Sequence, residues 1–241
     1  KCAHHTAEPG LIFWDRQHWY STSSVYPEFK NTSTNPCSEI AMQGGDSCRL
    51  IALNLYNFVE HPFTEKAVFN LDKFYKITYE AQRLMDDLVD LETEAIERIL
   101  NKVAKDDEPQ NIKEVEKETW ELLLKTGKEG RRTGLGFTAL ADMIAALGFS
   151  IDSDEAIAFV EKIMKEKCRA EFDCSIDMSL ERGSFVGFNK EIENSSEFVK
   201  MLKQELPTVY ERMMKFGRRN ISISTVAPTG TLSMLAQTSS G

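Results

Sequence analysis

At 241 residues, 41% of them hydrophobic and 28% charged, the chain has the composition of a soluble globular protein that can bury a core, as one large domain or two small ones. Its formal net charge of −9 excludes a protein that grips nucleic acid along its whole surface, although a local phosphate pocket needs only a few donors. No apolar run reaches the roughly eighteen residues that span a bilayer, and Lys1-Cys2-Ala3-His4-His5 has no signal-peptide core, so no membrane partner and a cytoplasmic location are expected.

Residues 1–60 are turn-rich and aromatic, with Pro9-Gly10, Pro27 and Gly44-Gly45 as breakers, and read as loops and strands around short apolar runs at 10–14 and 48–56. Apolar residues Phe74, Ile77, Ala81, Leu84, Met85 and Leu88 then recur at helical spacing, predicting one or two amphipathic helices between Phe63 and Ala104. Lys105–Lys128 is charge-dense with a weak stripe of Val115, Trp120, Leu123 and Leu124, a solvated helix or a surface excursion. Thr133 is expected to open the next helix, with 138–147 running to a stop at Gly148. Asp152 or Ser153 caps a long helix that Gly183 ends, and Ser195 or Ser196 starts a shorter one through Met214, interrupted by Pro207. The period then changes. Residues 220–226 alternate apolar and small polar side chains as a strand does, and run directly into Ala227-Pro228-Thr229-Gly230-Thr231.

Asn35-Pro36-Cys37-Ser38-Glu39 sets a thiol between an amide and a carboxylate. In extended chain, side chains two apart point to one side, so Asn35, Cys37 and Glu39 can converge on one small substrate. Cys48 follows eleven residues after Cys37. Any one of these thiols, taken alone, serves equally well as a small buried hydrophobe. Five cysteines at irregular spacing argue against a structural disulfide framework, and any disulfide is expected to be transient and catalytic. Cys168 and Cys174 fall on different faces of one helix and read as packing.

A strand ending in Pro228-Thr229-Gly230-Thr231, followed by Leu232-Ser233 as the first turn of a helix, is a candidate anion cradle. Backbone N–H groups, hydroxyls and a helix N-terminus all favour negative charge there; a plain capped turn is the alternative. Gly134-Leu135-Gly136-Phe137-Thr138-Ala139 matches a dinucleotide-binding turn only superficially. The preceding 125–132 is polar and basic rather than a hydrophobic strand, so close helix packing or a pocket-lining loop is expected instead. His4 and His5 beside Cys2 have no second ligand pair at zinc spacing, so no metal site is expected.

Four collinear stretches carry a family resemblance: Asn35 to Glu39; Ser47-Cys48-Arg49-Leu50-Ile51-Ala52-Leu53-Asn54-Leu55; Arg132-Thr133-Gly134-Leu135-Gly136 on to Leu140-Ala141-Asp142; and Arg219-Asn220 through Ala227–Ser233 to Ser239-Ser240-Gly241. Together with Glu181-Arg182-Gly183-Ser184-Phe185, they resemble the catalytic subunit of ribonucleotide reductase, specifically its adenosylcobalamin-dependent class. The resemblance implies an α/β fold, part of a ten-stranded α/β barrel with a central finger loop and several long helices. The whole of 1–241 would form a single partial barrel domain, with the finger at about 30–48 and the phosphate loop at 227–233.

It further implies that Cys37, buried at the finger tip, becomes a thiyl radical that takes the substrate 3′ hydrogen. Glu39 would act as general base on the 3′-hydroxyl, and Asn35 would hold the ribose hydroxyls. Cys48 would be one member of a redox pair re-reduced by a thioredoxin-like thiol reductant. Pro228, Thr229, Gly230, Thr231, Leu232 and Ser233 would receive the phosphates of a ribonucleoside di- or triphosphate. The partner thiol and the effector site of the family lie upstream of the finger, and the sequence starts at Lys1 without Met, so a fragment or split-gene piece, inactive alone, is expected. It would need a missing half-barrel or companion chain, and a homodimer is possible. Two other readings stand beside this one: the same reductase using a metal-radical partner subunit, and a non-catalytic nucleotide-binding or assembly module.

Overall fold

A computed structural model describes residues 1–240. In chain order the helices are α1 (Cys2–Thr6), α2 (Trp14–Tyr20), α3 (Leu71–Lys105), α4 (Gln110–Gly130), α5 (Leu140–Ala146), α6 (Asp154–Arg182), α7 (Lys190–Glu193), α8 (Glu197–Glu205), α9 (Pro207–Phe216) and α10 (Gly230–Ala236). The strands are β1 (Ser33–Thr34), β2 (Ala41–Met42), β3 (Ile51–Asn54), β4 (Val59–Glu60), β5 (Val68–Phe69) and β6 (Leu135–Thr138).

The long helices follow from spacing and caps. Asn70 opens α3 by accepting the Lys73 N–H at 2.8 Å, and Phe74, Met85, Val89 and Ile96 recur on its buried face. Ser153 caps α6 through the Ala156 N–H, and Gly183, at φ 84°, stops it in a conformation that side chains resist. Leu206 divides α8 from α9, where Pro207 occupies the first helical turn and needs no N–H partner.

Helix α3 packs along both α4 and α6, and α6 in turn packs against α9. Beneath them β3 pairs in parallel with β6, from Ile51 opposite Leu135 to Asn54 opposite Thr138. A parallel bridge from Leu135 to Ser224 adds the extended segment 221–225 on the far side of β6. Residues 220–226 thus lie alongside a strand as expected, but join it through this one bridge rather than a ladder of their own. The six strands form three two-stranded sheets, and the described residues close no barrel.

The expected helix start at Thr133 is not observed. Residues 135–138 form β6, and the helix begins only at Leu140. The two glycines serve strand approach rather than helix packing: a Cβ on Gly134 would lie 2.8 Å from the Arg49 carbonyl oxygen, and one on Gly136 would lie 3.2 Å from that of Thr225. Residues 14–20, read as loop or strand, form the helix α2.

One apolar core joins Leu53, Phe58, Phe74, Met85, Leu135 and Phe137 under α3, α5 and α6. A second lies between α6, α8 and α9, and a third clusters Tyr26, Phe29, Phe185 and Ile221. Cys174 is fully buried and Cys168 partly so. Between the cores sits Asp86, fully buried, which accepts from Arg131 Nε and from Asn220 Nδ2, both at 2.8 Å. Burial alone would raise this carboxyl, yet Arg131, Arg219 and Asn220 hold it below its ordinary value. Gln82 completes the link by donating to Thr133 and Asn220, so α3 fixes the starts of both inner extended segments.

Candidate active site

The segment 33–42 is an antiparallel hairpin, Ser33 opposite Met42 and Thr34 opposite Ala41, with the Asn35–Glu39 motif at its tip. The tip is a turn rather than the extended chain assumed from side-chain alternation. Ser38 N–H bonds the Asn35 carbonyl at 3.0 Å, and Ser38 adopts φ 68°. The turn brings Asn35 and Glu39 face to face, with Asn35 Nδ2 donating to Glu39 Oε2 at 2.5 Å. Asn35 Oδ1 accepts the Ile40 N–H at 3.0 Å, which fixes the amide plane.

Cys48 joins this pair. Its sulfur lies 3.9 Å from Glu39 Oε1 and 3.7 Å from Asn35 Nδ2. Burial raises the Cys48 thiol above its ordinary value, the Glu39 carboxylate and Cys37 add to the rise, and the Asn35 amide opposes it. The thiol therefore keeps its proton at neutral pH. Cys37 sits at the turn itself, exposed together with Pro36 and Ser38. This departs from the expectation of a buried Cys37: the hairpin tip projects beyond the elements of this chain, and nothing among the described residues covers it.

Two contacts not foreseen from the sequence tie the tip down. Gln17 of α2 donates to the Ser38 carbonyl at 3.1 Å, and Thr225 Oγ1 donates to the Glu39 carbonyl at 3.4 Å. The hairpin also borders a cavity of ≈ 290 Å³, lined by Glu39, Gln17, Thr22, Thr133, Ser222 and Ser224 among others. Nothing local in the sequence marks Gln17 or Thr225, since each acts across a long chain separation.

Residues 228–233 lie where the extended segment meets α10, three residues beyond Thr225, and do not line that cavity. The helix turn expected at 230–233 is observed. Thr229 and Ser233 are buried, and their hydroxyls are engaged internally, Thr229 with Thr138 at 3.1 Å and Ser233 with the Gly230 carbonyl at 2.7 Å. Pro228, Gly230, Thr231 and Leu232 are exposed, leaving the N-terminal backbone of α10 as the open face of this loop. Among the described residues, no group of three or more His, Cys, Asp or Glu is placed to hold a metal, and no helix is long and apolar enough to cross a membrane.

The hairpin thus presents one thiol, an amide and a carboxylate, and the loop that follows it brings a second thiol against them. The family model for the ribonucleotide reductase barrel domain matches residues 1–241, and the chain belongs to that family. Among curated relatives, it is 26% identical over 242 residues to the vitamin B12-dependent ribonucleoside-diphosphate reductase of Mycobacterium tuberculosis (strain CDC 1551 / Oshkosh), covering 100% of this chain and 28% of that protein. The protein of the same name from Thermoplasma acidophilum is 28% identical over 235 residues, covering 98% of this chain and 24% of its own length. The chain thus spans about a quarter of the length of these relatives. Among solved structures, the class Id ribonucleotide reductase alpha subunit of Actinobacillus ureae aligns over 98% of this chain and 36% of its own, with a TM-score of 0.60 and 18% identity, a likeness of fold.

Proposed function

We propose that this chain is the finger-and-phosphate-loop portion of an adenosylcobalamin-dependent ribonucleotide reductase, an oxidoreductase that converts ribonucleotides to 2′-deoxyribonucleotides. The observation that carries the reading is the meeting of Asn35, Glu39 and Cys48 at the turn that presents Cys37. The Mycobacterium and Thermoplasma relatives, named as vitamin B12-dependent reductases, support the cobalamin class. In the complete enzyme the parallel pair β3–β6 and the 221–225 segment would belong to a ten-stranded barrel, and residues 1–241 to one partial domain of it.

The cofactor fits the one feature of this chain that would face it. Cys37 is exposed, and among the described residues no hydrogen bond engages its sulfur, so a group docked over Pro36-Cys37-Ser38 meets the thiol without moving the hairpin. When bound, adenosylcobalamin supplies the radical chemistry that leaves Cys37 as a thiyl. From there the residues of this chain act on substrate. The Cys37 sulfur takes the 3′ hydrogen atom, and Glu39 accepts the proton of the 3′-hydroxyl. Asn35 bonds the ribose hydroxyls, its plane already set by Ile40. The 2′ C–O bond breaks, and the oxygen leaves as water with a proton from a thiol. Cys48 and a second thiol outside this chain together give up two electrons and two protons as their disulfide forms, one proton leaving in the water and the other going with both electrons to C2′ as its new C–H bond, while Glu39 returns its proton to the 3′ oxygen. The 3′ hydrogen then returns from Cys37. A Cys48 that holds its proton is suited to this role, because it must deliver a hydrogen and not attack as a free thiolate. The exposed N-terminal backbone of α10, with Thr229 to Ser233, would receive the phosphates, and a thioredoxin-like reductant would restore the dithiol.

The test is the complete enzyme with adenosylcobalamin, a dithiol reductant and no second subunit. Deoxynucleotide should form. Cys37→Ser should abolish turnover while leaving substrate affinity within about twofold, since the change removes a sulfur and no binding donor. Retained reduction by that variant would overturn the assignment. The alternative is a radical supplied by a partner subunit; a relative from Treponema pallidum, 25% identical over 114 residues and 46% of this chain, is named ribonucleoside-diphosphate reductase subunit alpha. Activity that appears only on adding a metal-containing subunit would select that alternative.

A further inference from the structure

Arg132 has no part in the chemistry above, yet it is among the most deeply buried charges of the chain, at 2% exposure. Its Nε donates to Asp46 Oδ2 at 2.6 Å, and the Asp46 side chain is equally buried. Its Nη2 donates to Gln43 Oε1 and to Ser23 Oγ, both at 3.2 Å. Its carbonyl oxygen accepts from Arg49 Nη1 at 2.9 Å, while the other end of the Arg49 guanidinium is paired with Glu92.

These partners are placed on the two arms of the site. Gln43 follows β2 at the base of the hairpin that carries Asn35, Cys37 and Glu39. Asp46 and Arg49 bracket Ser47-Cys48, and Asp46 Oδ1 also takes the Ser47 N–H at 2.8 Å. The segment 43–50 has no helix or strand of its own. The contacts of Cys48 with Glu39 and Asn35, at 3.9 and 3.7 Å, are weak thiol contacts that cannot hold a loop against its own freedom. A buried, hydrogen-bonded charge pair can, because either partner left alone in the interior is strongly unfavourable.

We propose that Arg132 is a positioning residue that holds the Cys48 thiol against Glu39: its buried guanidinium clamps the hairpin base at Gln43 to the Asp46 flank of Cys48, while its backbone carbonyl takes the Arg49 flank. The inference rests on the proposed reading only in taking Cys48 as a working thiol. The clamp makes Glu39 and Cys48 electrostatic neighbours, and that coupling is measurable without turnover.

The experiment follows peptide-resolved iodoacetamide alkylation of Cys48 against pH in the 241-residue chain. The groups facing Cys48 are Glu39, Cys37 and the Asn35 amide. With Arg132 in place, Glu39→Gln should speed Cys48 alkylation at pH 8 at least about threefold, since each tenfold in thiolate is one pKa unit. In an Arg132→Lys background, where a single ammonium cannot span Asp46, Gln43 and Ser23 together, the same Glu39→Gln change should alter the rate by less than about 1.5-fold. Asp46→Asn keeps the side-chain shape and serves as the second background, with thermal unfolding by circular dichroism confirming that each variant is folded. An unchanged Glu39 effect in either folded background would overturn the proposal, as would the lack of any Glu39 effect with Arg132 present. Failure of deoxynucleotide formation in the complete enzyme is a separate result that bears on the reductase reading alone.

Discussion

Replacing Arg218 by Met should be among the most damaging single changes outside the candidate site. Both Arg218 and its partner Glu193 are fully buried, paired at 2.7 Å through Nη2 and at 3.3 Å through Nε. Arg218 also donates to the Asn220 and Thr22 carbonyls, and its guanidinium lies 4.9 Å from the centre of the Phe185 ring. Met fills part of the volume but supplies no charge and no donor. Glu193 would keep the Tyr26 hydroxyl, at 2.7 Å, as its one strong remaining partner. Breaking a buried pair in this way costs about 3–5 kcal/mol, against a total stability of about 5–15 kcal/mol for a domain. At about 2–4 °C per kcal/mol for a chain of this size, the melting temperature should fall by about 6–20 °C.

The assay is urea unfolding followed by circular dichroism at constant pH, with the slope checked for two-state behaviour. The double variant Arg218→Met/Glu193→Leu separates a lone buried carboxylate from a general packing defect. Removing both charges should restore most of the loss, because the pair itself contributes little net stability beyond its mutual compensation. A single-variant loss below about 1 kcal/mol, or a double variant no more stable than the single, would refute the reasoning.

Gly134→Ala should cost about 1–3 kcal/mol, because the new Cβ would meet the Arg49 carbonyl at 2.8 Å and backbone cannot step aside as a side chain can; urea unfolding measures it. The same shift of Arg49 should change the alkylation rate of neighbouring Cys48, and an unaltered rate would show that the flank absorbs the strain elsewhere. Cys48 should also shape the alkaline limb of the stability curve. Its folded thiol holds the proton above the ordinary value of 9.0, so its contribution is whole below that pH and is lost as pH rises through the folded value. Cys48→Ser should therefore flatten the decline in stability above about pH 9; a decline identical in both proteins would remove Cys48 as its source.

Helices α6, α8 and α9 were legible in the sequence from their punctuation, Ser153 and Ser196 as side-chain caps and Gly183 and Pro207 as breaks, and α3 from its apolar period; α4, with no side-chain cap and a weak stripe, read equally as a surface excursion. Helix α2 was not legible, since its seven residues start at Trp14 after a Phe13 that offers no capping side chain, and carry no repeated apolar face. Strand β6 differs from the expected helix start for a different reason. Four residues including a glycine give no usable period, and what makes 135–138 a strand is the presence of β3 on one side and the Ser224 segment on the other. The residue types at the site are visible as a motif, but a turn with Ser38 at positive φ, not extended-chain alternation, produces their meeting. The clamp was out of reach, because Arg132 and Asp46 are 86 residues apart and each alone reads as ordinary surface charge.

Placement and enclosure of the candidate site come from different sources. Placement of Asn35, Glu39 and Cys48 comes from this chain: Thr225 and Gln17 hold the tip, and Arg132 holds the base and the Asp46 flank of Cys48. Among the described residues enclosure is absent, since Cys37 and Cys48 are both exposed. A thiyl radical of the proposed kind requires exclusion of water and stray reductants, and the relatives carry about three-quarters of their length beyond the matched region. Covering the tip would then add desolvation to the terms already raising the Cys48 thiol, while leaving the hydrogen bonds that position it unchanged. Cys48 alkylation should consequently slow further in a complete enzyme than in this chain, with its dependence on Arg132 preserved. That combination separates a site assembled before it is enclosed from one that forms only on closure.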